Sequence, residues 1–153
     1  MKIIRKKVSQ FLKYGTLISS FGFIGATLIQ IYARFFMESA PSWTEEAARF
    51  FFIYAMSFAA GLAMKDGYYV HFDVLFNKLG KNQQRILTIL ISLFTFILFV
   101  ILTVYALQFV KVGLPEHSPS LDVPMAIAFG SMVVMGLFVS FFAFIDIVKK
   151  MKS

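Results

Sequence analysis

The sequence predicts an all-α membrane protein with four transmembrane helices and a short interfacial amphipathic helix between the second and third. Hydrophobic residues make up 59% of the 153 positions, 20 residues are phenylalanine, and the mean hydropathy is +0.77. A soluble domain of this size has too little interior to hide so much apolar side chain. Four apolar runs each reach the length of roughly 20 residues that a helix needs to cross a bilayer. The net charge of +7 sits at the ends of these runs rather than along one face, which is a membrane pattern and not a nucleic-acid footprint. The chain therefore reads as a single four-helix transmembrane domain with spans at about 14–36, 43–64, 86–108 and 125–147. It contains no cysteine, so disulfides, thiolate metal sites and iron–sulfur clusters are excluded.

The first span follows a basic segment carrying Lys2, Arg5, Lys6, Lys7 and Lys13. Its length, and the Glu38 and Pro41 that flank the nearest small-residue site, Ser39-Ala40, argue for a retained helix over a cleaved signal. Gly15, Ser19, Gly22, Ala26 and Gln30 recur at helical spacing on one stripe. Small residues let helix backbones approach closely in lipid, so this is a packing face. Arg34 lies farther along; it can reach Glu45 or Glu46 across a short loop, or extend to the interface on its own.

The second span opens on Ser42-Trp43-Thr44-Glu45-Glu46, with Arg49 one turn later. Ser42 and Glu45 have the spacing of a capping box. Glu45 and Arg49 stand four apart, acid before base, and Glu46 lies in the positive first turn of the helix. An ordinary capped helix start and a charged partner-binding end are both open readings. Ala55, Ala59 and Ala63 repeat every four residues, with Ser57 and Gly61 adding small positions, and Gly67 is placed to stop the helix.

From Tyr68 to Arg85, Phe72, Leu75, Phe76 and Leu79 fall at i, i+3, i+4 and i+7, the pattern of a short helix lying flat in the interface. His71 and Asp73 flank its start, where His71 either has a function or is hydrogen-bonded to nearby backbone. Asn82 can cap the third span, whose apolar circumference is broken only by Thr88, Ser92, Thr95 and Ala106, so this helix should face lipid most. A loop with three prolines follows, and Pro124 suits the first turn of the fourth span.

Twelve of the 15 lysines and arginines fall on the side of the N-terminal segment, the link between spans two and three, and the C-terminus. The positive-inside rule then makes both termini cytoplasmic. Ionisable residues are missing from mid-span, where a pump or carrier needs them. His71 and His117 belong to opposite sides of the membrane and cannot share a haem. No phosphate loop, zinc motif or nucleophile constellation is present, so the chain does not read as an enzyme. It reads as a small protein that binds another membrane protein, either as a transporter subunit or as an assembly subunit of some other complex. An autonomous multidrug-type carrier is the competing class, though it would need an embedded carboxylate.

Trp43-Thr44-Glu45-Glu46 with Arg49, Ala60-Gly61, then Gly67, His71, Asp73 and Val74, and finally Ser120-Leu121 with Pro124, come in an order that resembles the small membrane subunit (DctQ-like or SiaQ-like) of tripartite ATP-independent periplasmic (TRAP) transporters. The resemblance implies a sodium-driven symporter of the bacterial inner membrane. A periplasmic binding protein would deliver an organic acid, of the C4-dicarboxylate or sialic acid class, to a large membrane subunit that holds the substrate and sodium sites. This chain would carry no cofactor and scaffold the large subunit. Trp43, Glu45, Glu46 and Arg49 would bind that partner at the outer end, and His71 and Asp73 at the inner end; Arg34, by its place across the loop from Glu45 and Glu46, is a further candidate at the outer end.

Overall fold

The computed structural model describes residues 2–37, 41–67 and 80–152, which form four helices: α1 (Lys2–Phe36), α2 (Ser42–Asp66), α3 (Lys81–Val112) and α4 (Ala126–Lys152). Each is long and apolar enough to cross a membrane. The interfacial helix expected between the second and third spans, with its apolar positions Phe72 to Leu79, lies outside the described residues; residues 81–85, at the end of that stretch, begin α3.

The helices form an open series, α1–α2–α4–α3, in which α1 packs on α2, α2 on α4, and α3 on α4. In a closed bundle the two terminal members would also pack extensively on each other. Burial follows this order: 39% of the α4 span is buried against only 11% of the α3 span, so α3 is the most exposed helix, as its composition predicts.

The small-residue stripe of α1 is its packing face. Ser19 and Ala26 are buried, while Gly15 lies under the Phe58 ring and Gly22 under the Phe51 ring. At Gly22 an added Cβ would come within 2.6 Å of that ring, so only glycine allows this approach. The stripe ends on buried Ala33, and Arg34 points outward. Toward the basic end of the helices, Leu12 of α1, Met64 of α2, and Val139, Phe142 and Ala143 of α4 close into the one buried cluster of the described residues.

The helix ends depart from expectation in three places. Ser42 does not cap α2: Pro41 holds the extended N-cap position (φ −62°, ψ 121°) and no side chain caps it. Ser42 is already one residue inside the helix, and Thr44 instead donates from its backbone (3.1 Å) and hydroxyl (2.7 Å) to the Pro41 carbonyl. Asn82 does not cap α3, because Gly80 takes the extended N-cap and its N–H donates to Gln83 Oε1 at 3.1 Å, half of a capping box. Pro124 lies two residues before α4, held in a bridge with His117 while the Met125 N–H donates to the Glu116 carbonyl; the chain stays extended until that pairing ends. Gly67 does terminate α2, at φ +72° with its N–H on the Ala63 carbonyl, a left-handed stop that costs glycine nothing.

Two glycines of α1 give a paired test. Gly22→Ala should lower the thermal stability of the detergent-solubilised protein by about 1–3 kcal/mol through overpacking. Gly25 has nothing within 4 Å of an added Cβ, so Gly25→Ala should be neutral or stabilise by up to about 1 kcal/mol through helix propensity. Equal effects in melts followed by circular dichroism would contradict the packing described.

Candidate partner-binding site at the loop end

Residues 113–125 connect α3 to α4 at the end opposite the basic cluster. Backbone bonds order this loop: Ser118 N–H donates to the Val123 carbonyl at 2.9 Å, Asp122 N–H to the Ser118 carbonyl at 3.1 Å, and Ala126 N–H to the Gly113 carbonyl at 2.9 Å. The turn places Asp122 in the left-handed region at φ 52°, a conformation that aspartate tolerates better than most residues. His117 Nδ1 is 3.0 Å from both the Asp122 carbonyl and a carboxylate oxygen of Asp122. Both neighbours are acceptors, so the network assigns a proton to Nδ1.

Glu46 reaches this loop from α2. Its Oε2 accepts the backbone N–H groups of Ser120 at 3.1 Å and Leu121 at 2.7 Å, two charge-assisted bonds to consecutive amides that the turn has left pointing the same way. Thus one carboxylate joins residues 74 and 75 positions apart. Farther down, the Tyr54 hydroxyl donates to the Ile127 carbonyl at 2.7 Å, again between α2 and α4.

The neighbouring Glu45 turns away. It pairs with Arg49 at 3.4 Å, with side chains 62% and 70% exposed, and an ion pair so exposed contributes at most about 1 kcal/mol by itself. Trp43 is 43% exposed beside them. Arg34 is exposed and forms no ion pair among the described residues; Glu45 and Glu46 both have other partners. The structure therefore gathers Trp43, Glu45, Glu46 and Arg49 at one helix end and leaves Arg34 apart, while His71 and Asp73 lie outside the described residues. Among the described residues no group of three His, Asp or Glu is arranged to hold a metal ion.

One polar cluster escaped the sequence reading. At the basic end, Ser92 of α3 donates to Asp146 Oδ2 of α4 at 2.8 Å, Lys150 pairs with the same carboxylate, and Arg85 donates to the Lys150 carbonyl at 3.0 Å. The i,i+4 spacing of Asp146 and Lys150 was the available signal. Arg5 of α1 similarly donates to the Lys65 carbonyl at the end of α2, at 3.4 Å.

Removing the Glu46 carboxylate should open the loop. In Glu46→Ala the Ser120 and Leu121 amides lose their acceptor, at a cost of roughly 1–3 kcal/mol where they stay shielded from water. Hydrogen exchange at those two amides should rise by at least about tenfold, and Glu45→Ala should leave them unchanged. Equal exchange in both variants would contradict the clamp.

The comparisons agree with this architecture. Residues 23–153 match the family described as "Tripartite ATP-independent periplasmic transporters, DctQ component". A Haemophilus influenzae protein described as a TRAP transporter small permease protein is 21% identical over 150 residues, covering 98% of this chain and 91% of that one. The isethionate TRAP transporter permease protein DctMQ of Oleidesulfovibrio alaskensis is 30% identical over 135 residues, 81% of this chain but 21% of the relative, so the match spans about a fifth of that longer protein. A family match over most of the chain, joined to four apolar helices in the expected order, places this membrane protein in the DctQ component family, the small permease subunits of TRAP transporters.

Proposed function

We propose that this protein is the stationary partner of a large membrane subunit in a sodium-driven importer of an organic acid, and that the open face of α2 is where the partner docks. The observation that carries this is a continuous seam. Glu45, Arg49, Phe52 and Met56 are exposed, and Ala59 and Ala63 half-exposed, along one side of α2, with Phe52 at the α1 edge of that side, where its ring meets Phe23 at 5.4 Å. Their spacing of four, three, four, three and four residues is that of a coiled-coil seam, which accepts a helix crossing at about 20°. The alanines let a second backbone come close, and the ion pair at the top offers charged groups to which a partner's polar side chains can hydrogen-bond.

A partner of this kind suits a chain with few mid-span ionisable groups. The substrate and sodium sites belong to the large subunit; the substrate is an organic acid of the C4-dicarboxylate or sialic acid class, and the name of one relative adds isethionate, another small organic anion. The lysine and arginine distribution orients both termini to the cytoplasm of a bacterial inner membrane. The ordered 113–125 loop then faces the periplasm, from which a soluble binding protein delivers substrate.

Two outcomes check this reading. Ala59→Leu and Ala63→Leu, which add bulk to the seam, should reduce recovery of the complex with the large subunit several-fold, and Arg49→Ala should do the same. Leu107→Ala on the exposed face of α3 should not. Reconstituted alone, the protein should give no sodium-dependent uptake of organic acids, and uptake by the lone chain would overturn the scaffold role.

A further inference from the structure

We infer that the outward face of α1 at its basic end is a docking surface for anionic phospholipid, with Lys6 and Lys13 on the headgroup phosphates. The helix has 35 residues, about 52 Å at 1.5 Å per residue, against about 30 Å of hydrocarbon. The apolar run from Tyr14 onward fills the hydrocarbon, so the turns before it stand at headgroup level and beyond. On the face opposite the glycine stripe, Lys6, Gln10 and Lys13 are exposed. The same face continues into Leu17, Phe21, Ile24, Leu28 and Ile31, which are 43–72% exposed.

One side of a single rigid helix thus changes from basic to apolar where a phospholipid changes from phosphate to acyl chain. Lys6 and Lys13 lie about 10 Å apart along the axis, within reach of one phosphate layer for two flexible ammonium groups. Tyr14, 63% exposed, adds an amphipathic ring at the boundary. The first turn of α1 has no acidic residue, and Lys6 and Lys13 have no hydrogen bond or ion pair among the described residues. Arg5, by contrast, is used on the Lys65 carbonyl, and fully buried Leu12 fixes the rotation of the helix.

The chemistry of this face favours lipid over a protein partner. Its members are long or bulky and include no small residue for close helix contact, whereas the stripe of Gly15, Ser19, Gly22 and Ala26 on α1 lies against α2 and the open seam of α2 carries alanines and an ion pair. The surface also begins before residue 23, where the family match starts, and it does not depend on the partner-binding reading of α2.

The test uses the full chain extracted with its membrane partner, delipidated, and titrated with phosphatidylglycerol or phosphatidylcholine while bound lipid is counted by native mass spectrometry. Phosphatidylglycerol should bind preferentially. Lys6→Gln with Lys13→Gln should weaken that binding at least about tenfold, Lys6→Arg with Lys13→Arg should restore it, and Lys149→Gln, an exposed lysine of α4, should change it less than twofold. Equal binding of the two lipids, or an equal loss in Lys149→Gln, would overturn the proposal. So would protection of Lys6 and Lys13 from amine-reactive reagent in the delipidated complex, since that would make the face a protein contact.

Discussion

Two antiparallel helix pairs, α1 with α2 and α3 with α4, are joined chiefly through the contact between the parallel helices α2 and α4, with Phe11 and Leu12 of α1 also reaching α4. Lipid supplies no hydrophobic drive for such a contact, because the acyl chains are as apolar as the side chains they would replace. It must be made by close packing and by polar groups with nowhere else to go. The protein uses both. Gly61 lets the Phe138 side chain approach closely, the Tyr54 hydroxyl bonds the Ile127 carbonyl, and Glu46 holds the loop that leads into α4. The remaining structure hangs from this junction, since neither pair alone would present α2 with its two covered sides and one open side.

An open series of helices leaves much apolar surface uncovered, and the character of that surface differs from helix to helix. The outer faces of α1 and α3 are lined by large aliphatic and aromatic side chains suited to acyl chains. The uncovered side of α2 instead runs from an ion pair through Phe52 and Met56 to two alanines, a graded surface that matches another helix better than lipid. Polar clamps hold both ends of the helices: Glu46 and the 113–125 loop at one, and Arg5 on Lys65 with the Ser92–Asp146–Lys150 cluster at the other. The stationary role proposed for this chain draws on that combination of clamped ends and a free face.

How much of this could be read from the chain depends on the range of the interaction. The four spans, the glycine stripe of α1, the Gly67 stop and the Glu45–Arg49 pair rest on contacts within a helix or on composition, and each appears in the structure as its residues suggest. The helix starts were less legible, because capping depends on where the extended backbone ends: Pro41 and Gly80 decide that, and the more familiar caps Ser42 and Asn82 fall inside the helices. The order α1–α2–α4–α3 and the bonds of Glu46 to Ser120 and Leu121 were not legible at all. A stripe of small residues reveals that a helix has a neighbour but not which one, and a carboxylate four residues into a helix gives no sign of amides more than 70 positions away. The resemblance groups Trp43, Glu45, Glu46 and Arg49 as one site; the geometry divides them, with Glu46 turned inward to shape the loop and Glu45 and Arg49 left on the open face.

The central claim, that the open face of α2 receives the large subunit, can be tested directly because the chain has no cysteine of its own. Single cysteines placed in turn along α2 and α3, labelled with a photoactivatable crosslinker in membranes that contain the large subunit, would map the contact. The account predicts crosslinks that peak at Phe52, Met56, Ala59 and Ala63 and fall away at the intervening positions of α2. Crosslinks concentrated on the exposed face of α3, with none on this seam, would contradict it.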